Sequence, residues 1–280
     1  MNYHSNEWIM DHVREHYNEA LESFPEDRIV GLFYQGSGNY GLDYEGSDVD
    51  TKLIVTPTLD DIIFNRKPVS TTHIRNNDEH TDWKDIRLMF STFRKCNLNF
   101  TEILFTKYKI VNPLYMKQWD RIVDNNELIA RYNEVAAVRT MKGIAMEKYH
   151  AMEHRYPSKI EIIDKYGFDG KQVHHLFRVE EYLQRYIDGE SYADCLISKQ
   201  AEYLKNVKTC GYLSLEEARV LAKESLNRIC IMADKFRAEH IEESNSNVDN
   251  LLDDVQREIM LIAIKREISD YKTQNNVSLQ

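Results

Sequence analysis

The sequence predicts an α+β protein, in which a small mixed β-sheet with flanking helices is followed by an α-helical region. Short apolar runs rich in β-branched and aromatic residues fall within the first third of the chain. From Lys84 the apolar residues change to three-and-four spacing, and after Pro113 nearly the whole chain follows that helical period. A chain of 280 residues suits one large or two smaller domains, and we expect domains at residues 1–112 and 113–280.

The first half begins with a helix and continues with strands. The N-terminal twenty residues carry apolar side chains at helical spacing, and Pro25 ends that segment. The run RIVGLFY is typical of a buried strand. DTKLIVTP predicts the next strand, which Pro57 stops.

A hairpin and a series of helices complete the predicted elements. The segment VSTTHIRNNDEHTDW predicts a hairpin whose turn contains Asn76, Asn77 and Asp78. The second half predicts helices over residues 127–154, 169–188, 191–206, 214–239 and 248–273. The polar tail from residue 273 is typical of a disordered terminus.

Composition limits the classes of partner. The formal net charge is -10, so charge alone gives no affinity for nucleic-acid backbone, and a polyanion would need a local basic patch. Four cysteines without Cys-x-x-Cys spacing indicate reduced thiols in a cytoplasmic protein. The N-terminus is too charged for a signal peptide, and no run approaches the ~20 apolar residues of a membrane span. We expect no membrane partner.

The stretch FYQGSGNYGLDYEGSDVDTKLIV, residues 33–55, contains a Gly-rich turn between two strands. The letters GSGNYG match the dinucleotide-binding pattern G-x-G-x-x-G, which requires a full helix after the third Gly. Here the next strand begins near Asp48, seven residues past Gly41, which leaves room only for a turn. The Walker phosphate loop is excluded as well, since no Gly-Lys-Ser/Thr follows.

Asp48 and Asp50 stand one residue apart at a strand start, so both carboxylates are expected on the same face. Two such charges are unfavourable together unless a cation lies between them. Hard carboxylate oxygens hold Mg²⁺, which in turn binds phosphate oxygens. Gly36 lets the backbone approach a phosphate, and Ser37 adds a hydroxyl and an N–H at the start of a short helical turn.

This arrangement resembles the DNA polymerase beta superfamily of nucleotidyltransferases, whose signature is a strand, Gly-Ser, about ten residues and Asp-h-Asp-h, where h is apolar. Gly36-Ser37 and Asp48-Val49-Asp50 match that signature, whereas Thr51 departs from the fourth position. The chain is most similar to the predicted bacterial and phage nucleotidyltransferases linked to RNA repair. The residues matching their further motifs are Tyr40, Gly41, Leu42, Ser47, Asn97, Glu102, Leu104, Phe105 and the segment GKQVHHLFR from Gly170 to Arg178.

The resemblance implies a catalytic domain at residues 1–112 and a helical domain at residues 113–280 that closes the cleft. It implies transfer of a nucleoside monophosphate from an NTP to an acceptor, such as an RNA end, with release of pyrophosphate. Two Mg²⁺ ions, or Mn²⁺ in their place, would be held by Asp48 and Asp50. The residues expected to bind the nucleotide are Gly36, Ser37, Lys171, His174, His175 and Arg178, the last four of which share one helix face.

A third catalytic carboxylate is expected from EHTDWKDIRLMF, where two candidates stay open. Asp82 lies on the predicted hairpin strand, and Asp85 lies where the helical period starts. An acid at a helix start is also favoured by the helix dipole, and an acid on a strand is also common as an exposed residue.

Two alternatives belong to other functional classes. HAMEH, from His150 to His154, matches the inverted zinc-protease motif H-x-x-E-H, in which Glu153 would be the base. Nothing nearby suggests a third zinc ligand, and a histidine pair lining the nucleotide cleft or a polar helix face is the simpler interpretation. The same fold could also serve as a non-catalytic nucleotide-binding or antitoxin-like module.

Overall fold

The protein is a mixed α+β molecule with a five-stranded sheet and many helices. A computed structural model describes residues 3–75, 77, 79–209 and 211–275. Within those residues, no helix combines the length and the apolar character that a transmembrane span requires. The described cysteines are all free thiols, and Cys210 lies outside the described residues.

The sheet has the order β3-β4-β2-β1-β5. Its strands are β1 (Ile29–Gln35), β2 (Asp50–Val55), β3 (Ser70–Ile74), β4 (His80–Asp85) and β5 (Lys109–Val111). β2 and β4 are parallel, and the other neighbours are antiparallel, so the expectation of a mixed sheet is confirmed. The predicted hairpin is the pair β3 and β4. Of its predicted turn, Asn76 and Asp78 lie outside the described residues.

The N-terminal region and the strand connections contain four helices. They are α1 (Asn6–Ser23), α2 (Leu59–Ile63), α3 (Ile86–Arg94) and α4 (Leu98–Thr101). β5 and α2 were not predicted, because three and five residues are too short to display a period.

The chain after Pro113 is helical, as predicted. Its helices are α5 (Met116–Val123), α6 (Asn126–Ala130), α7 (Glu134–Ala151), α8 (Ile160–Tyr166), α9 (Gly170–Ile187), α10 (Tyr192–Leu196), α11 (Ala201–Lys208), α12 (Leu215–Glu239) and α13 (Ser246–Asn275). Two predicted helices are divided, at 127–154 into α6 and α7 and at 191–206 into α10 and α11. The expected disorder from residue 273 is wrong for 273–275, which continue α13, and residues 276–280 lie outside the description.

Each face of the sheet has its own apolar cluster. Leu32 and Leu53 pack with α1 on one face. Phe33 and Ile54, the next residue on each strand, face the other way into a larger cluster that extends to α13. This second cluster joins residues from before and after position 113, so the helices of the second half pack on one sheet face. The predicted division into two domains stays a prediction.

Candidate active site

The structure brings nine of the ten predicted site residues to one cleft between the sheet and the helices of the second half. The cleft has a volume of about 670 Å³. The nine are Gly36, Ser37, Asp48, Asp50, Asp82, Lys171, His174, His175 and Arg178.

The Gly-rich turn begins directly beside the aspartates, because Gln35 at the end of β1 is paired with Asp50 at the start of β2. Gly36 has φ +114°, a conformation that favours glycine, and Ser37 opens a single 3₁₀ turn over Ser37–Asn39. This is the short helical turn expected from the sequence. The Gly38 N–H donates to the Tyr34 hydroxyl at 2.8 Å, which ties the turn to β1.

Asp48 and Asp50 line the same cleft, with Asp50 first in β2 and Asp48 two residues before it. Burial and the charge of Asp48 raise the pKa of Asp50. The His80 N–H, which donates to Asp50 Oδ1 at 2.9 Å, and the charge of Lys171 lower it again. The two carboxylates therefore interact with each other, and Lys171 is close enough to act on Asp50 from α9.

Asp82 is the third carboxylate of the cleft, and it is already engaged. β2 and β4 run in parallel register with Lys52 opposite Asp82, and Lys52 Nζ lies 3.1 Å from Asp82 Oδ2. Gln35 Nε2 lies 3.4 Å from the same oxygen, and the Thr72 hydroxyl donates to Oδ1 at 2.7 Å. The Lys52 charge and these hydrogen bonds lower the pKa of Asp82 against an opposing effect of burial.

Asp85, the other candidate for the third acid, does not line the cleft. Asp85 lies three positions after Asp82, about 10 Å farther along the strand. Because side chains alternate between the two faces, an offset of three places the Asp85 side chain on the opposite face. Asp85 caps α3 by accepting from the Arg87 N–H at 2.8 Å. It also pairs with the Arg87 guanidinium at 2.9 and 2.7 Å. The helix-start interpretation of this acid is confirmed.

One face of α9 forms the opposite wall of the cleft. Asp169 caps this helix by accepting from the Lys171 N–H. Lys171, His174, His175 and Arg178 follow at three-and-four spacing and all reach the cleft. Burial lowers the pKa of His174 to about 4, and burial also lowers the pKa of His175 well below its usual value. Both rings are therefore neutral at pH 7, so Lys171 and Arg178 supply the charge on this wall.

Arg178 and Glu102 are both buried near the Gly-rich turn, and their charges act on each other. The Arg178 guanidinium lies 3.5 Å from the centre of the Tyr40 ring, and its Nε is buried without a hydrogen-bond partner among the described residues. Glu102 accepts from the Gly36 N–H, and burial raises its pKa to about 8, against the lowering effects of Arg178 and that N–H. A buried guanidinium with an unmade hydrogen bond indicates a place for an anion or another acceptor.

The cleft is basic within an acidic protein. Its lining residues include six lysines and Arg178 against four acids, whereas the whole chain has a net charge of -10. The basic residues are Lys52, Lys84, Lys95, Lys148, Lys171, Arg178 and Lys208. This is the local basic patch that the composition required for a polyanion.

Several of these lysines were not predicted, for different reasons. Lys52 follows Asp48 and Asp50 at the same two-residue step, so strand alternation could have identified it. Lys208 comes from the end of α11, and no local pattern links it to the cleft. Burial and the charge of Lys171 lower its pKa to about 8, whereas Asp48 raises it.

The cleft residues fit a magnesium ion that arrives with a nucleotide. Within the described residues, no three His, Cys, Asp or Glu side chains form a ready metal-binding group. Mg²⁺ does not require one, because it keeps several waters and binds one or two carboxylates together with substrate phosphates. Asp48 and Asp50 supply hard oxygen ligands of that kind, which also suit Mn²⁺.

The H-x-x-E-H pattern does not build a zinc site. α7 ends at Ala151, so Glu153 and His154 do not share a helix face with His150. Glu153 pairs with Arg219 at 2.6 Å, and the His154 ring contacts Tyr156. The polar interpretation of this segment is the better one.

No protein-family model matches the chain, and no curated protein matches it.

Proposed function

We propose that this chain is a metal-dependent nucleotidyltransferase of the DNA polymerase beta superfamily, which transfers a nucleoside monophosphate from an NTP to an acceptor and releases pyrophosphate. One observation carries the proposal: Asp48 and Asp50 line the same cleft as the Gly36-Ser37 turn, and Lys171 faces them. Carboxylates for a metal and basic side chains for phosphates are the two requirements of an NTP site.

The triphosphate would lie between the turn and α9. Ser37 offers its hydroxyl and N–H, while Lys171 and Arg178 provide charge for phosphate oxygens. His174 and His175 are neutral and add polar ring atoms without adding charge. Bound through Asp48 and Asp50, Mg²⁺ would neutralise phosphate charge and favour departure of pyrophosphate.

Asp82 faces the same space and takes the role of the third carboxylate. Because Lys52 lowers the pKa of Asp82, this carboxylate is a weak base. It accepts a hydrogen bond from the acceptor hydroxyl and orients that hydroxyl, but it does not keep the hydroxyl's proton. Holding the hydroxyl in line with the α-phosphorus is itself a large part of phosphoryl-transfer catalysis.

The test is transfer of label from each of the four NTPs, labelled at the α-phosphate, to a total RNA or a total protein extract with Mg²⁺ present. We expect wild type and Asp85→Asn to label an acceptor and Asp50→Asn to fail, because Asp85 lies outside the cleft. The fraction that carries the label identifies the acceptor as RNA or protein.

If wild type binds an NTP yet labels nothing and releases no pyrophosphate, the chain is a nucleotide-binding module on this fold. Equal labelling by wild type and Asp50→Asn would contradict the assignment of the active site.

A further inference from the structure

Lys52 lies among the carboxylates of the cleft. It is the third residue in the two-residue step of Asp48 and Asp50, so it shares their face of β2. Its Nζ lies 3.1 Å from Asp82 Oδ2, and the charge of Asp50 also acts on it. The Lys52 ammonium group therefore contacts Asp82 and interacts electrostatically with Asp50, two of the four acids that line the cleft.

The position of this ammonium group is fixed. The side chain of Lys52 is only 8% exposed, which is rare for lysine unless the charge is paired. Its Nζ also lies 5.4 Å from the centre of the buried Phe100 ring, a cation–π distance. The carboxylate and the ring together hold the group at the end of β2 that carries Asp50.

We propose that Lys52 is a catalytic residue that stabilises the attacking oxygen of the acceptor, so that transfer uses one divalent ion and one ammonium group. The proposal rests on the proposed nucleotidyl transfer and replaces the second ion that the family resemblance implies.

The contacts of Asp82 favour one ion over two. A two-ion site clamps the attacking and leaving oxygens with ions about 3.5–4 Å apart, and both ions need free carboxylate oxygens. Here Oδ2 of Asp82 is shared by Lys52 and Gln35, and Oδ1 accepts from Thr72. A second divalent ion would have to approach beside a like charge and displace it.

The reaction balances with this arrangement. The acceptor oxygen forms a bond to the α-phosphorus, and the bond from that phosphorus to the bridging oxygen breaks. Pyrophosphate leaves with the electron pair, and the acceptor's proton passes to water. Lys52 keeps its proton throughout and stabilises the negative charge that develops on the attacking oxygen, while Asp82 holds Lys52 and orients the hydroxyl.

Lys84 provides a matched control. It follows Asp82 on β4 by the same two-residue step by which Lys52 follows Asp50, and it also lines the cleft. Its Nζ donates to the Ser70 hydroxyl at 2.8 Å. A Lys84→Met change therefore removes one positive charge from the cleft and leaves the contact between Lys52 and Asp82 in place.

The experiment counts Mn²⁺ ions bound per chain by equilibrium dialysis in the saturating α,β-methylene analogue of each of the four NTPs. We expect one ion for wild type and for Lys84→Met, and two for Lys52→Met, because that change leaves Asp82 available to a metal. In turnover at a divalent-ion concentration that fills only the site on Asp48 and Asp50, Lys52→Met should lower kcat by about 100-fold with little change in the KM for NTP, because the ammonium group is then lost without replacement.

Two ions in wild type, or one in Lys52→Met, would overturn the role of Lys52 while leaving nucleotidyl transfer standing. No bound ion in wild type would instead remove the proposed function together with this inference. If Lys52→Met does not fold, Asp82→Asn decides: we expect its count to stay at one, and a fall to zero would show that the single ion lies on Asp82 and would overturn the role of Lys52.

Discussion

Consecutive polar residues of β2 point to opposite faces of the sheet, and their surroundings on the two faces differ. Asp50 and Lys52 on β2 face the cleft, whereas Thr51 between them faces α1. There the His16 Nδ1 lies 2.9 Å from the Thr51 hydroxyl, and its Nε2 lies 3.0 Å from Glu79. Glu79 is only 4% exposed.

The two faces differ in how completely their buried charged groups are hydrogen-bonded within the protein. Besides its contact with His16, Glu79 accepts hydrogen bonds from the Val49 N–H at 3.2 Å and from Arg75 and Asn77 at 2.7 Å. Groups within the protein therefore satisfy its carboxylate. On the cleft face, carboxylates act on one another and Arg178 Nε has no partner among the described residues. We infer that the α1 face stabilises the fold and the cleft face is arranged for a ligand.

The largest expected effect is on the cleft face. Asp48→Asn combined with Asp50→Asn should lower NTP-dependent pyrophosphate release by about 1000-fold or more, because the carboxylate ligands for the metal are lost. Urea unfolding of the same variant should show stability close to that of wild type. Asp85→Asn serves as the control and should release pyrophosphate at the wild-type rate. An equal loss of pyrophosphate release in both variants would contradict the functional difference between the two faces.

On the α1 face, we expect a change at Glu79 to lower the stability of the fold. Burial raises the pKa of Glu79, but its hydrogen bonds and the charge of His16 outweigh burial and lower that pKa to about 2, below the ordinary 4.5. A lowered carboxyl pKa adds stability above pH 4.5 that is lost as the pH falls toward 2. At roughly 1.4 kcal/mol per pKa unit, Glu79→Gln should lower the free energy of unfolding at pH 7 by about 3 kcal/mol.

The pH dependence of stability provides a second measurement of the effect of Glu79. Between pH 4.5 and 2 the stability of Glu79→Gln should fall less steeply than that of wild type, as measured by urea unfolding at several pH values. Glu45→Gln, at an exposed position, is the matched control and should follow wild type. A Glu79 variant as stable as wild type at pH 7 would show that this network is not structural.

A smaller effect is expected from the helical wall of the cleft. Lys171→Met should raise the KM for NTP about tenfold with a lesser change in kcat, since a lysine that binds phosphate in both ground and transition states contributes uniform binding. Steady-state kinetics with Lys165→Met, which lies outside the cleft on α8, provides the comparison. A change in kcat alone would place Lys171 in the chemical step.

Local rules predicted the part of the site that lies within one strand and its turn. Alternation placed Asp48 and Asp50 together, and the Gly36-Ser37 turn followed from the short gap between strands. Asp85 could not be assigned from sequence, because it is the last residue of β4 and also the N-cap of α3. One position therefore offered both a strand face and a helix cap.

Features that depend on contacts distant in sequence were less accessible. The parallel register that pairs Lys52 with Asp82 joins strands separated by 24 residues, and nothing in either segment specifies it. The approach of α9 to the cleft was expected only through family resemblance. Lys208 had no signal at all, since its place depends on how α11 packs against α9.

Thermal unfolding with each NTP, in Mg²⁺ and in EDTA, tests whether this cleft holds a metal–triphosphate complex. A ligand at a hundredfold excess over Kd adds about 2.7 kcal/mol, so at least one NTP with Mg²⁺ should raise the Tm of wild type by about 5 °C. The Asp48→Asn/Asp50→Asn variant should show no such rise. An equal rise in that variant, or no rise in wild type with any of the four NTPs, would contradict a metal–triphosphate site in this cleft.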